Sequence, residues 1–84
     1  MECVVKWAGG DSMTFLAETG SGHLVGMDGA PEAGGHNLAP RPMELMLAGA
    51  GGCTAFDVVL ILKRSRQDVV DCVVSLKADR AETD

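Results

Sequence analysis

Ala55, Phe56, Val58, Val59, Leu60, Ile61 and Leu62 go almost all the way round any helix drawn through them. A helix that is apolar on every face must be buried on every face. Four short strands and one short helix are all that the rest of an 84-residue chain can supply, and they cover only part of that surface. Leaving several Val, Leu and Ile side chains wet costs about 1.5–3 kcal/mol each. Further cover is expected, from additional chain, another subunit, or both. Residues 45 to 62 are also apolar enough to suggest a membrane span. Asp57 would then sit near mid-bilayer at a cost of about 2.5–3.5 kcal/mol, beside three helix-weakening glycines. A buried soluble segment with no membrane partner is the expectation.

Length allows one domain, close to the size at which a single core becomes marginal. An apolar content of 46% excludes compositional disorder. A net charge of −5, with no basic patch and no interleaved aromatics, argues against nucleic acid as a partner. The first residues, MECVVKWAGG, show no apolar signal core or small-residue cleavage site, so no secretory signal is expected. Three cysteines without a CxxC pair fit a reducing, cytoplasmic setting.

Residues 2–7 alternate, with Cys3, Val5 and Trp7 on one side; MTFLAE and HLVGMD alternate in the same way after the turns AGGDS and TGSG. These predict an antiparallel meander over residues 1–28. Residues 29–41 have no periodicity, and a loop of that length reads either as a functional or mobile segment or as a plain connection. Pro42 and Glu44 suit the first turn of a helix. A short helix is expected up to the Gly51-Gly52 pair, and a second from Cys53 to Arg66, closed by Lys63, Arg64 and Arg66. A last strand is read over residues 69–78, with Val70, Cys72, Val74 and Leu76 on one face. The order is β-β-β-α-α-β, an α+β fold.

Cys53 opens the second of these helices. A helix N-terminus favours a thiolate through its dipole and unpaired N–H groups, and the two glycines leave the sulfur approachable. Asp57, four residues on, opposes this unless its charge is engaged elsewhere. Free cysteine also behaves as a small hydrophobe, so Cys53 reads either as a reactive thiol or as core. Cys3 and Cys72 fall on the apolar faces of strands and read as structural. GAGGCT lacks the third glycine of GxGxxG, and no GK[ST] follows a glycine loop. His23 and His36 have no ligand spacing to each other or to the cysteines, so no metal site is expected.

The stretch RPMELMLAGAGGCTAFDVVLILKRSRQDVVDCVVSLKADR, with the earlier GSGHLVGMDG, resembles the OsmC/Ohr family of organic hydroperoxide reductases and osmotically induced proteins, in particular its YhfA-like branch. The resemblance implies an intertwined homodimer whose central helices are wrapped by sheets from both subunits, with this chain as the N-terminal portion of one domain. It implies reduction of organic hydroperoxides by a peroxidatic cysteine, which Cys53 matches. A second cysteine from the C-terminal half resolves the oxidised sulfur; that segment is absent here. No bound cofactor is implied, only an external dithiol reductant such as a lipoylated protein.

The family's arginine comes from an N-terminal strand, and the matching position here is His23, a pH-dependent cation. Its positioning glutamate stands ten residues before the cysteine. That position is Met43, and Glu44 comes one step later. Cys53, Glu44 and His23 are therefore the candidate catalytic residues. The other function class is a non-enzymatic dimer that binds a small apolar ligand at its interface.

Overall fold

The computed structural model describes residues 1–79. The chain divides into two compact units, Met1–Leu45 and Met46–Asp84, and one long helix runs from the end of the first into the second.

The first unit is built on a three-stranded antiparallel sheet in the order β1-β2-β3, with β1 at Cys3–Trp7, β2 at Thr14–Thr19 and β3 at Leu24–Asp28. The register places Trp7 opposite Phe15 and Val5 opposite Ala17, and then Phe15 opposite Met27 and Ala17 opposite Val25. Because strand side chains alternate, those six residues share one face with Cys3 and Thr19. Thr14, Leu16, Gly26 and Asp28 stand on the other. The expected meander forms as read, because its pattern has a period of two and its turns carry the right residues. Gly22 sits at φ 87 after a turn in which its N–H donates to the Thr19 carbonyl at 3.0 Å. That left-handed position closes a three-residue hairpin, and glycine adopts it without a Cβ clash.

Residues 29–40 cross the Leu16–Gly26–Asp28 face of the sheet. Ala39 lies 3.7 Å from where a Cβ on Gly26 would stand, and the Asp28 N–H donates to the Pro40 carbonyl at 3.0 Å. The segment's two ends therefore meet, which makes it an Ω-loop rather than a slack connection. Inside it a 3₁₀ turn, Pro31–Ala33, ends at Gly34 in the left-handed region. Gly35 is buried, and a Cβ there would collide with the Gly29 carbonyl.

Helix α1 covers Pro42–Arg64 without a break. Two helices parted at Gly51-Gly52 are not what forms. Each interior glycine costs about 0.8–1.0 kcal/mol relative to alanine, and good helix formers flank the pair. Pro42 begins the helix, where its missing N–H leaves no bond unmade. At the other end the Gln67 N–H donates to the Leu62 carbonyl at 2.9 Å and the Arg66 N–H to Lys63 at 3.0 Å. Arg66 takes the left-handed position, at φ 60, that glycine usually fills in this kind of cap.

The expected strand over 69–78 is also absent: no strand forms among the described residues after α1. Its alternation is real, but a strand needs a neighbour to accept its backbone bonds, and within this unit the segment runs beside a helix. A Cβ on Gly51 would stand 2.5 Å from the Leu76 Cδ1, so Leu76 packs where that glycine leaves room.

As expected of a helix that needs further cover, α1 is left largely uncovered by this chain alone. Gly51 is its only buried residue, while Phe56 is 67% and Ile61 63% exposed. By length and composition alone it is long and apolar enough to cross a membrane, with a mean hydropathy of 2.0 in its most apolar window.

Gly35→Ala tests the tight end of the Ω-loop. Backbone has to move to admit the methyl group, so unfolding in urea should show a loss of about 1–3 kcal/mol.

Candidate functional site

Cys53 is the twelfth residue of α1, counting from Pro42, and it is exposed. An unbroken helix removes one premise of the sequence reading. Dipole stabilisation fades within the first turn, so no helix N-terminus supports a thiolate at this position. What the helix does provide is access. On the turn before Cys53, a Cβ built on Gly49 or Gly52 meets no heavy atom within 4 Å, so the surface N-terminal to the sulfur is open. Thr54 next to it turns its hydroxyl back onto the helix, donating to the Ala50 carbonyl at 3.0 Å. Phe56 and Asp57 lie three and four residues on, near the same face as Cys53.

Glu44 is employed elsewhere. Its Oε1 accepts the Arg41 N–H at 2.9 Å, and the Leu45 N–H donates to the Arg41 carbonyl at 3.1 Å. Arg41 is thus the N-cap, and Glu44 supplies the returning half of a capping box. Along the helix Glu44 and Cys53 are nine residues apart, about 13.5 Å of axial rise and about half a turn out of phase. The helix does not bring these two candidates together.

His23 follows Gly22 at the mouth of the β2–β3 hairpin and is exposed. Its Nδ1 lies 3.0 Å from the Ser21 Oγ, and that hydroxyl lies 3.0 Å from the Thr19 Oγ1. The His23 backbone N–H donates to the same Thr19 hydroxyl at 3.0 Å. The imidazole is therefore tethered by its own turn. Cys3 and Cys72 are exposed free thiols rather than buried ones. Cys72 borders an open groove of about 490 Å³ lined by Gly52, Ala55, Phe56, Val59, Leu60 and Lys63. Among the described residues no group of His, Cys, Asp or Glu is arranged to hold a metal ion.

One residue escaped the sequence reading. Asp28 is fully buried, at 0% exposure. Its Oδ1 accepts the Thr14 hydroxyl at 3.2 Å and the Gly29 N–H at 2.8 Å; its Oδ2 accepts the N–H groups of His36 at 3.1 Å and Leu38 at 3.0 Å. These bonds, that from Leu38 foremost, hold the carboxyl below its ordinary value against the opposing effect of burial. The available signal was an acidic residue closing an apolar alternation just before a glycine-rich loop. Nothing in that pattern shows where the loop's amides will point.

Comparison with known proteins agrees with this architecture. A family model described as OsmC-like protein matches residues 35–84. The chain is 51% identical over 82 residues to Protein YhfA of Escherichia coli (strain K12), covering 98% of this chain and 57% of that protein. The match to Protein YhfA of Shigella flexneri has the same extent. A solved structural-genomics chain superposes with a TM-score of 0.81 at 51% identity, over 95% of this chain and 56% of that one. This chain thus spans a little over half the length of the relatives it matches. On the matched block, the identity over nearly its whole length and the shared fold, the chain belongs to the OsmC-like family.

Proposed function

We propose that the complete protein is a thiol-dependent peroxidase that reduces organic hydroperoxides, with Cys53 as the attacking thiol. Family membership supports a general OsmC-like role. The observation that carries the finer reading is the exposed sulfur of Cys53 beside the open positions of Gly49 and Gly52 on α1, inside the block that matches the family. In the first step the thiolate sulfur attacks one oxygen of the O–O bond. The sulfur keeps that oxygen as a sulfenic acid, and the other oxygen leaves as an alkoxide that takes up a proton. A thiol then attacks the sulfenic sulfur and releases water, forming a disulfide. An external dithiol, acting as reductant, returns Cys53 to the thiol.

Two other residues have proposed parts. His23 supplies positive charge to the leaving oxygen, with its ring oriented by Ser21. Glu44 acts through the cap of α1 as a positioning residue, not by touching substrate. The apolar circumference of α1 supports a homodimer together with the remainder of the protein as its cover. Lipid is the poorer cover, because Asp57 would stand charged near the middle of the span. A second reading, a non-enzymatic dimer holding a small apolar ligand, draws support from the groove beside α1.

Peroxide consumption by the complete protein with a dithiol reductant separates the readings. Cys53→Ser should abolish turnover of a bulky organic hydroperoxide, and Cys72→Ser should leave it largely intact; full turnover by Cys53→Ser rejects the peroxidase. His23→Arg should raise activity, because the guanidinium carries a permanent charge. Glu44→Gln should keep the cap, while Glu44→Ala should lower thermal stability by about 1 kcal/mol. Loss of activity in Glu44→Gln with unchanged stability would assign the carboxylate a direct catalytic part instead.

A further inference from the structure

We propose that residues 29–40 form a strap that opens and closes as one unit, locked by the buried carboxylate of Asp28. This goes beyond the peroxidase reading and does not depend on it.

The geometry is that of a latch. Four donors converge on one side chain: a hydroxyl from β2 at Thr14, and backbone N–H groups from the start, middle and far side of the strap at Gly29, His36 and Leu38. The Asp28 backbone also receives the strap's return, since its N–H donates to the Pro40 carbonyl at 3.0 Å. Beyond these bonds the strap has little regular structure, only the 3₁₀ turn Pro31–Ala33. Gly35 is pressed on Gly29, and the Met13 side chain packs near Gly29 and Gly34 while staying 42% exposed. Met13 adds a modest apolar contact, and the four bonds to the carboxylate hold the strap at its start, middle and far side.

Asp28 is also the last residue of β3, so the lock is bolted to the sheet. From the far end of the strap the chain passes directly into the cap of α1, where the Arg41 guanidinium donates to the Asn37 side-chain Oδ1. Closing the strap thus orders Asn37 and Arg41 at the entry to the helix.

The groups that meet the carboxylate are the neutral Thr14 hydroxyl and backbone amides. The charged or titratable side chains carried by the strap and the helix entry are Glu32, His36, Arg41 and Glu44. Both oxygens act as acceptors, so a neutral carboxyl or an amide at this position turns a donor toward backbone N–H groups that are themselves donors. The sign of the acid response follows. The folded carboxyl sits below its ordinary value, so the latch is at full strength above about pH 4 and weakens as pH falls through the folded value.

The test is amide hydrogen exchange in the intact protein, corrected for intrinsic rates. In Asp28→Asn the amides of Gly29, His36 and Leu38 should exchange at least about tenfold faster, and by a common factor, while amides of the β1–β2 ladder keep their protection. In the unsubstituted protein, lowering the pH from about 6 to about 3 should raise the same three together; Asp28→Asn should show no further rise. Thr14→Val removes one donor and leaves the carboxylate, and should speed the three amides by a smaller common factor. It also keeps the test open should Asp28→Asn fail to fold. Retained protection of the strap amides, unrelated factors among the three, or equal loss in the β1–β2 ladder would overturn the proposal.

Discussion

The uncovered apolar surface of α1 is the constraint on which the rest depends. A helix of 23 residues with one buried position has no stable existence alone in water. At about 1.5–3 kcal/mol for burying each large apolar side chain, exposed Phe56, Val58, Ile61 and Leu62 forgo a gain comparable with the whole stability of a small domain. The relatives extend well beyond the length of this chain, with 57% of Protein YhfA matched. Our account takes the missing cover to be the rest of the protein and a second subunit.

The same helix sets the chemistry. An unbroken α1 places Cys53 in its middle, so any stabilisation of a thiolate must come from side chains or from a partner and not from helix N–H groups. Glu44 accepts the Arg41 N–H at the helix start, about 13.5 Å of axial rise from Cys53 on the same helix. What remains at Cys53 is accessibility beside Gly49 and Gly52, which precede it on the helix. That is compatible with a nucleophile and equally useful to a close-packed interface, which is why reactivity and not geometry must decide.

Much of the fold was legible in the residues. The three strands fell where alternation and turn glycines put them, because a period-two pattern and a left-handed glycine such as Gly22 are local properties. Errors came where the outcome depends on something distant. Gly51-Gly52 looked like a break, yet two interior glycines cost only about 2 kcal/mol together, which the flanking helix formers absorb. Residues 69–78 carry a strand's pattern, but pairing requires a neighbour that the described residues do not provide. Asp28 was invisible as an organiser because its partners are mainly backbone amides, which no sequence pattern displays. Of the candidate site, Cys53 was found by its neighbours in sequence, while the role of Glu44 in the cap became evident only from where its carboxylate lies.

Direct capture of the oxidised sulfur tests the central claim most sharply. The complete protein would be exposed to one equivalent of a bulky organic hydroperoxide, trapped with a sulfenic-acid reagent and mapped by peptide mass. Our account predicts that the adduct, or the disulfide that replaces it, appears on Cys53 ahead of Cys3 and Cys72. Oxidation spread evenly over the three exposed cysteines, or concentrated away from Cys53, would contradict it.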